Sequence, residues 1–379
     1  MELKEYTLDE LLPYEQPTKY IVESTKYDDS YTIPVLTAGK SFILGYTNET
    51  EGIFQKERLP VIIFDDFTTA SQYVNFPFKV KSSAMKILNV NTELVLPKYI
   101  YYKMQTIQIN HDTHKRYWIQ QYSQIRVTIP SLEIQEKVVN KIDELFSQID
   151  EGIITLRKIK AQLDVYRQSV LNTIFSSSDS WEEYLFGDLM EVVRNGYGKK
   201  PDDKGSHRIL TIGSLRMLNL DLNNYRLNEN SFEDNDMIRE NDLLFTRYNG
   251  SKEFVGVCAV VPKLHENYAY PDKLIKFRPK INDKDYSKYL AYYASGGTGR
   301  IYLRSKIKTT SGQNGIAGND IKKMKIRVPD LDTIRKIVYE IETKLSACDN
   351  IEHTIDTLIM QSESIKLSIL RKEFEGGVK

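Results

Sequence analysis

Two segments of the chain carry a heptad repeat of hydrophobic residues, which predicts two long amphipathic helices. Apolar side chains recur every seven residues from Ile142 to Val170, and again from Ile341 to Ile369, where Ser362 interrupts the repeat. Sustained apolar heptads with charged flanks are typical of a coiled-coil seam. No proline interrupts either segment, so each helix can run unbroken. The predicted seam residues are Ile142, Ile149, Leu156, Leu163 and Val170 in the first helix and Ile341, Ile355, Leu358, Ile365 and Ile369 in the second.

The two predicted helices belong to an internal repeat. Ser131–Phe175 aligns without gaps with Asp330–Phe374, at a shift of 330 − 131 = 199 residues. Upstream the halves align with gaps, and the apolar run Val61–Phe64 corresponds to Asp242–Phe245. The repeat predicts an α/β (α+β) fold of two tandem globules, each followed by a long helix. The expected boundaries are residues 1–128 and 179–327 for the globules and 129–178 and 328–379 for the helices.

Helix length sets the expected arrangement of the repeat. A helix of about 45 residues spans roughly 65 Å. The segment between Phe175 and Trp181 reaches only about 20 Å. The second globule should therefore begin near the far end of the first helix, and the second helix can pair with the first only by returning. We expect an antiparallel coiled coil with pseudo-twofold symmetry.

Composition narrows the class of protein. The 52 Lys and Arg residues balance 52 Asp and Glu residues, so bulk charge gives no argument for a nucleic-acid or membrane-surface binder. No apolar run approaches the roughly 18–20 residues of a membrane span, and the first residues carry no apolar signal segment. Two cysteines 90 positions apart favour a reducing compartment. We therefore expect a cytoplasmic protein without membrane contact.

A search for catalytic motifs favours a binding protein over an enzyme. The chain has no GxxxxGK[ST] loop and no strand-linked GxGxxG, and Gly296–Gly299 is better explained as a flexible turn than as a phosphate cradle. His111 and His114 have no third ligand nearby. Asp65–Asp66 could bind magnesium, although aspartates commonly form the turn after a strand. We expect no catalytic residue, metal or cofactor on this chain.

Basic and amide-bearing stretches recur at matching places in both halves and suggest a DNA-binding surface. The segment from Arg300 to Lys325 contains seven lysines and arginines and a single acidic residue, Asp320. Phosphates are bound by Lys, Arg and small hydrogen-bond donors, and base edges by Asn, Gln and Arg. The predicted DNA-facing residues are Thr68, Thr69, Lys115, Arg116 and Tyr117 in the first globule and Arg247, Asn249, Arg304, Lys306, Lys308, Gln313 and Asn314 in the second.

The duplicated layout resembles the specificity (S) subunits of type I restriction–modification systems. Ile129–Val138 is similar to the strand-to-helix signature of that family, with a proline, a leucine and then Gln135 ahead of the long helix. The copy Val328–Ile337 keeps the proline and the leucine but has Ile334 in place of the glutamine. Segments that begin at Phe67 and Lys306 also resemble parts of target recognition domains, and the resemblance covers essentially the whole chain.

The resemblance implies a function and partners. Each globule would be a target recognition domain that reads one half of a gapped, double-stranded DNA site, with the paired helices fixing the gap. The helices would dock two modification subunits, which carry S-adenosylmethionine and methylate adenine, and restriction subunits would join for cleavage. The chain itself would have no active site.

Two other interpretations remain open at the level of sequence. A structural adaptor, binding proteins through two globules on a coiled coil, fits the neutral charge and predicts that alanine at Arg304 and Lys308 leaves DNA binding unchanged. A fused nuclease or methyltransferase predicts activity from the chain alone, and the missing cofactor motifs argue against it.

Overall fold

The computed structural model describes residues 3–39, 41–108, 116–176, 181–229, 231–310 and 312–375. The chain forms two compact units: residues 1–156 with 356–379, and residues 157–355. Among the described residues, no helix is long and apolar enough to cross a membrane.

The first unit contains three small sheets in the strand orders β2-β8-β5-β6, β4-β3-β7 and β1-β9. Its 3₁₀ turns are Pro17–Tyr20, Lys56–Arg58 and Tyr122–Gln124. Its strands are β1 (Lys4–Thr7), β2 (Tyr14–Glu15), β3 (Ile33–Leu36), β4 (Ile43–Thr47), β5 (Val61–Asp65), β6 (Ser71–Val74), β7 (Lys79–Val80), β8 (Met85–Asn89) and β9 (Arg126–Ile129). Its helices are α1 (Leu8–Leu11), α2 (Pro97–Gln105), α3 (Tyr117–Gln120) and the start of α4 (Leu132–Ser176).

The second unit repeats the three sheets, as β11-β20-β16-β18, β15-β12-β19 and β10-β23, and adds β13-β14 and β17-β22-β21. Its strands are β10 (Glu182–Leu185), β11 (Met190–Asn195), β12 (His207–Leu210), β13 (Leu215–Arg216), β14 (Asn219–Leu220), β15 (Tyr225–Asn228), β16 (Leu243–Thr246), β17 (Tyr248–Asn249), β18 (Cys258–Val260), β19 (Tyr268–Ala269), β20 (Leu274–Pro279), β21 (Lys308–Thr310), β22 (Gln313–Gly315) and β23 (Lys325–Val328). Its helices are α5 (Lys284–Ser295), α6 (Gly297–Ser305), α7 (Gly318–Lys322) and the start of α8 (Leu331–Glu375), with 3₁₀ turns at Phe186–Leu189, Ile212–Ser214, Asp234–Asp236 and Lys252–Phe254.

The strand pairings confirm the internal repeat at the level of single residues. In the first unit β1 pairs antiparallel with β9 so that Lys4 lies opposite Ile129. In the second unit β10 pairs with β23 so that Glu182 lies opposite Val328. The two halves therefore fold to the same plan of sheets, each followed by a long helix.

A central strand is buried on both faces in each unit. Alternate residues of a strand point to opposite faces. In β5, Ile62 and Phe64 join the core beneath the helices, whereas Val61 and Ile63 join a second core. The apolar run therefore has no polar alternation, because neither of its faces meets water.

Each long helix ends inside a core. Leu370 and Phe374 of α8 belong to the main core of the first unit, and Phe374 packs edge-on against Tyr99 at a ring-centroid distance of 5.1 Å. In the second unit Phe175 of α4 packs against Tyr289 at 5.5 Å. The aligned Phe374 and Phe175 thus make equivalent core contacts in the two halves.

Ion pairs between the long helices show that they pair in an antiparallel direction. In the first unit Lys141 of α4 contacts Glu373 of α8 at 2.7 Å, whereas the later Asp150 contacts the earlier Lys366 at 2.6 Å. In the second unit Lys160 of α4 contacts Glu352 of α8 at 3.2 Å, whereas the later Arg167 also contacts the earlier Asp349, at 2.8 Å. In the second unit, as in the first, later positions on one helix meet earlier positions on the other.

The predicted seam is only partly enclosed. Leu358 and Ile365 are 42% and 51% exposed, so the prediction that they lie in the seam is wrong. A pair of helices encloses one narrow stripe, and these residues lie on its flank. Ile142, Leu163, Val170, Ile341 and Ile355 are buried, and Ile149, Leu156 and Ile369 are half-buried.

A carboxylate of the long helix attaches each globule to its helix. In the first unit Asp143 of α4 accepts hydrogen bonds from Lys98 and Tyr102, both at 2.5 Å. In the second unit the aligned Glu342 of α8 pairs with Lys288. Burial, together with the neighbouring Asp143 carboxylate, raises the pKa of the Tyr102 hydroxyl, so this hydroxyl remains a hydrogen-bond donor at neutral pH.

The repeat is broken at the start of the long helices, where Gln135 aligns with Ile334, and the contacts of Gln135 explain the difference. Gln135 is fully buried, its Nε2 donates to the carbonyls of Leu94 and Pro130 at 3.1 and 2.9 Å, and its Oε1 accepts from the Leu96 amide at 2.8 Å. It therefore satisfies the backbone ahead of α2, whose N-cap has no side-chain hydrogen bond. Ile334 occupies the aligned place as a buried apolar residue.

Replacing Gln135 by isoleucine should lower the free energy of unfolding of the first unit by roughly 1–3 kcal/mol, because buried backbone groups lose their partners. Glu136→Ile, at an exposed neighbouring position of α4, is the matched control and should change it by less than about 0.5 kcal/mol. Urea titration measures both variants. Equal effects of the two substitutions would contradict the anchoring role.

Candidate nucleic-acid interface

In the second unit, two predicted DNA-binding stretches meet in one small sheet. Strands β17, β22 and β21, here called the basic sheet, pair Tyr248 with Gly315 and Lys308 with Gly315. Asn249 lies opposite Asn314. Residues more than 50 positions apart in the sequence thus form a continuous surface.

An aromatic ring lies among the basic side chains of this sheet. The Arg247 guanidinium lies over the Tyr248 ring, 4.6 Å from its centroid, and the Lys273 ammonium lies 5.5 Å from it. A Cβ added to Gly315 would lie 2.5 Å from Cδ1 of Tyr248, so only glycine leaves room for the ring there. The arrangement concentrates positive charge around a half-buried tyrosine, although the chain has no net charge.

Two of the predicted polar residues have structural contacts of their own. The Asn314 amide donates to the Gly250 carbonyl at 2.9 Å, and its Oδ1 accepts from the Thr309 hydroxyl at 2.7 Å. Asn249 Oδ1 accepts from the Ser251 amide at 3.0 Å. These contacts fix the loop that follows β17.

Helix α6 and the residue that follows it supply further cations shortly before β21 in the chain. Arg304 is exposed, and Lys306 lies 5.2 Å from the centroid of the Tyr302 ring. Arg300 is only 5% exposed and donates to the carbonyls of Val255 and Glu253 at 3.0 and 2.8 Å. Burial lowers its pKa to about 10, so it remains charged at neutral pH.

In the first unit, a turn and a short helix lie together at the corresponding place. Asp65–Ala70, here called the threonine turn, begins with Asp65 Oδ1 accepting from the amides of Phe67 and Thr68 at 2.9 and 2.8 Å. Thr69 has a φ of 61°, and Thr68 is exposed. Asp65 thus forms a turn, the alternative to magnesium binding. No cluster of metal-binding side chains occurs among the described residues.

Asp66 connects this turn to the start of α3. It is 2% exposed, its carboxylate lies 3.4 Å from the equally buried Lys86, and its Oδ1 accepts from the Trp118 amide at 2.9 Å. Its carbonyl accepts from the Tyr117 amide at 2.9 Å. The contact brings exposed Arg116 to the same end of the unit as the threonine turn.

The prediction that Tyr117 faces DNA is wrong, and the one for Lys115 falls outside the described residues. The Tyr117 ring is 2% exposed and belongs to the main core, because α3 turns its apolar side toward the sheet. Lys115 lies outside the described residues, as do His111 and His114.

Equivalent backbone contacts form both predicted interfaces. In the first unit the Tyr117 amide donates to the Asp66 carbonyl at 2.9 Å. In the second unit the Ile316 amide donates to the Arg247 carbonyl at 3.0 Å. The shift from Tyr117 to Ile316 is 316 − 117 = 199 residues, the register of the repeat. The threonine turn and the basic sheet therefore occupy the same place in the two halves, although their side chains differ.

Sequence reasoning missed the residues that support these surfaces. Tyr248, Lys273, Asp66 and Lys86 were not predicted to contribute to them. The available signals were the Tyr248 ring beside Arg247 and a charged pair inside apolar strands. The pairing of Asp66 with Lys86 depends on strand register, which the sequence does not display.

Comparison with known proteins matches this arrangement. The family described as Type I restriction modification DNA specificity domain matches residues 178–361. The specificity subunit of the Escherichia coli type I restriction enzyme EcoR124I/EcoR124II is 34% identical over 373 residues, covering 92% of this chain and 88% of that one. The EcoKI specificity subunit of Escherichia coli K12 is 34% identical over 268 residues, covering 66% and 57%.

Solved structures share the fold. A chain from a study of complex assembly and conformational transition in a type I restriction–modification system superposes with a TM-score of 0.66 at 14% identity, covering 98% of this chain and 97% of that one. The HsdS subunit from Thermoanaerobacter tengcongensis gives 0.52 at 14% identity, covering 99% and 97%. With the duplicated fold and the relatives above, the chain belongs to the specificity subunits of type I restriction–modification systems, the subunits that recognise DNA sequence.

Proposed function

We propose that this protein reads a gapped, two-part DNA site, with one part bound by each globule. The observation that carries the proposal is the shared backbone frame at residues 66 and 117 and at residues 247 and 316. A common frame with different side chains is what two readers of different sequences require. The threonine turn offers hydroxyls, and Arg116 lies at the same end of that unit, whereas the basic sheet offers lysine, arginine and amide groups.

The long helices would dock the modification subunits. In the second unit Tyr339 of α8 is 75% exposed, and in the first unit Met360 of α8 is 66% exposed. Single exposed apolar side chains are common on proteins, so the support for docking comes from membership of the specificity-subunit family. We propose two modification subunits, which bind S-adenosylmethionine and methylate adenine, and restriction subunits in the cleaving complex.

This chain would contribute specificity and no catalytic group. Arg247 lies over an aromatic ring beside the basic sheet, whereas buried Arg300 holds the backbone carbonyls of Val255 and Glu253. The adenine-modifying chemistry and its cofactor would belong to the partner subunit.

Co-expression with the modification subunit of its system, followed by purification and methylome sequencing, tests the proposal. A stable complex and methyladenine within a two-part motif interrupted by unspecified bases are the expected results. A complex that methylates a continuous motif would contradict two-part reading. The absence of both complex and methylation would favour the adaptor interpretation.

A further inference from the structure

The register of the basic sheet divides its side chains between two faces. Residues directly opposite each other in an antiparallel pair share a face, and neighbours along a strand alternate. Tyr248, Gly315 and Lys308 form one row across the three strands, and Gln313, two positions before Gly315, lies on the same face. We call this the lysine face. The opposite, asparagine face carries Asn249, Asn314 and Thr309.

The asparagine face uses part of its hydrogen-bonding capacity inside the protein. Both ends of the Asn314 amide are engaged, by Gly250 and by Thr309. Asn249 accepts from the Ser251 amide. An amide reads an adenine by offering a donor and an acceptor together, and in Asn314 both the amide nitrogen and the amide oxygen already hold a partner within the protein. This face therefore holds the loop in place.

The lysine face keeps its polar groups for a ligand. Lys308 and Gln313 are exposed, and within the part of the chain that the structure describes neither side chain makes a hydrogen bond or an ion pair. The Tyr248 ring covers Gly315 on this face, with the Arg247 and Lys273 cations beside it. Two free base-reading groups thus stand next to charges suited to phosphates.

We propose that the lysine face enters the major groove and that Gln313 and Lys308 read two bases of the second half-site. Gln313 would bind the N6 and N7 edge of an adenine, and Lys308 the O6 and N7 acceptors of a guanine. A two-stranded ribbon such as β21–β22 fits the width of the major groove. Arg247 and Lys273 would bind the flanking phosphates. The inference rests on the proposed function and specifies one of its two readers.

Methylome sequencing of complexes that contain Gln313→Ala, Lys308→Ala or Thr309→Val tests this assignment. Each of the first two variants should relax one position of the second half-motif, lowering discrimination there by roughly 5- to 150-fold, with the other half-motif unchanged. Thr309→Val is the matched control on the asparagine face. It removes one of the two hydrogen bonds of Asn314, the Gly250 contact still holds the loop, and the motif should be kept. All three positions are exposed in the described sheet, and thermal unfolding checks that each variant is folded.

The outcomes separate the two levels of the account. If the wild-type complex methylates a gapped motif but Gln313→Ala and Lys308→Ala leave it intact, the assignment is wrong and the proposed function stands. Relaxation by Thr309→Val alone would assign the reading to the asparagine face and overturn the inference. A wild-type complex without a gapped motif would overturn both.

Discussion

Replacing Asp66 by alanine is expected to lower the free energy of unfolding of the first unit by about 3–5 kcal/mol. The substitution leaves the Lys86 ammonium buried without its carboxylate, and Gln16 Oε1 at 3.1 Å and the Tyr14 ring are its other polar or aromatic contacts among the described residues. It also removes the acceptor of the Trp118 amide. Urea denaturation combined with hydrogen exchange of β5 and β8 measures the loss in this unit.

The control for this prediction removes both charges. Asp66→Ala together with Lys86→Met should recover most of the lost stability, because no unpaired charge then remains in the interior. Arg247→Ala, at the equivalent position of the second unit, should cost less than about 1 kcal/mol because that side chain is only half-buried and its loss leaves no buried charge unpaired. If the double variant lost as much stability as the Asp66→Ala and Lys86→Met variants together, Asp66 and Lys86 would not be energetically coupled.

Phe374→Ala should cost about 3–5 kcal/mol in the first unit, although this residue lies more than 240 positions from the strands of that unit. Its ring is 6% exposed and packs against Tyr99, with the Lys103 ammonium 5.3 Å from its centroid. The alanine variant leaves a cavity where α8 enters the core. Hydrogen exchange should show faster opening of β5 and β8.

Phe175→Ala provides the comparison within the repeat. Its ring packs against Tyr289 and Tyr293 in the second unit, so β16 and β20 should lose protection instead. Lys372→Ala, exposed in the last turns of α8, should leave both units unchanged. Normal protection of β5 and β8 in Phe374→Ala would show that the end of α8 is dispensable for the first core.

The sequence predicts the large elements well because their signals are local and repeated. The heptads predict helices that the structure places at Leu132–Ser176 and Leu331–Glu375, and the 199-residue register reappears in the backbone contacts. The prediction that Leu358 and Ile365 lie in the seam is wrong because a heptad position does not tell how far a neighbouring helix covers a side chain. Such coverage is a property of packing between distant segments.

The residues of the interface are harder to predict from the sequence than the helices, because loop conformation and strand register determine which side chains reach the surface. Tyr117 reads as part of a basic, aromatic stretch, yet a single turn of α3 places its ring in the core. Asn314 reads as a base-reading amide, yet its contact with Gly250 depends on the pairing of β17 with β22. Lys308 and Gln313 carry no sequence signal that distinguishes them from Asn314.

Exchanging the first globule tests the central claim most directly. Residues 1–128 would be replaced by the corresponding segment of a relative with a different recognition site, and the methylome of the resulting complex would be sequenced. The account predicts a hybrid motif in which one half changes and the half read by the second globule stays the same. A motif altered in both halves, or in neither, would contradict the assignment of one half-site to each globule.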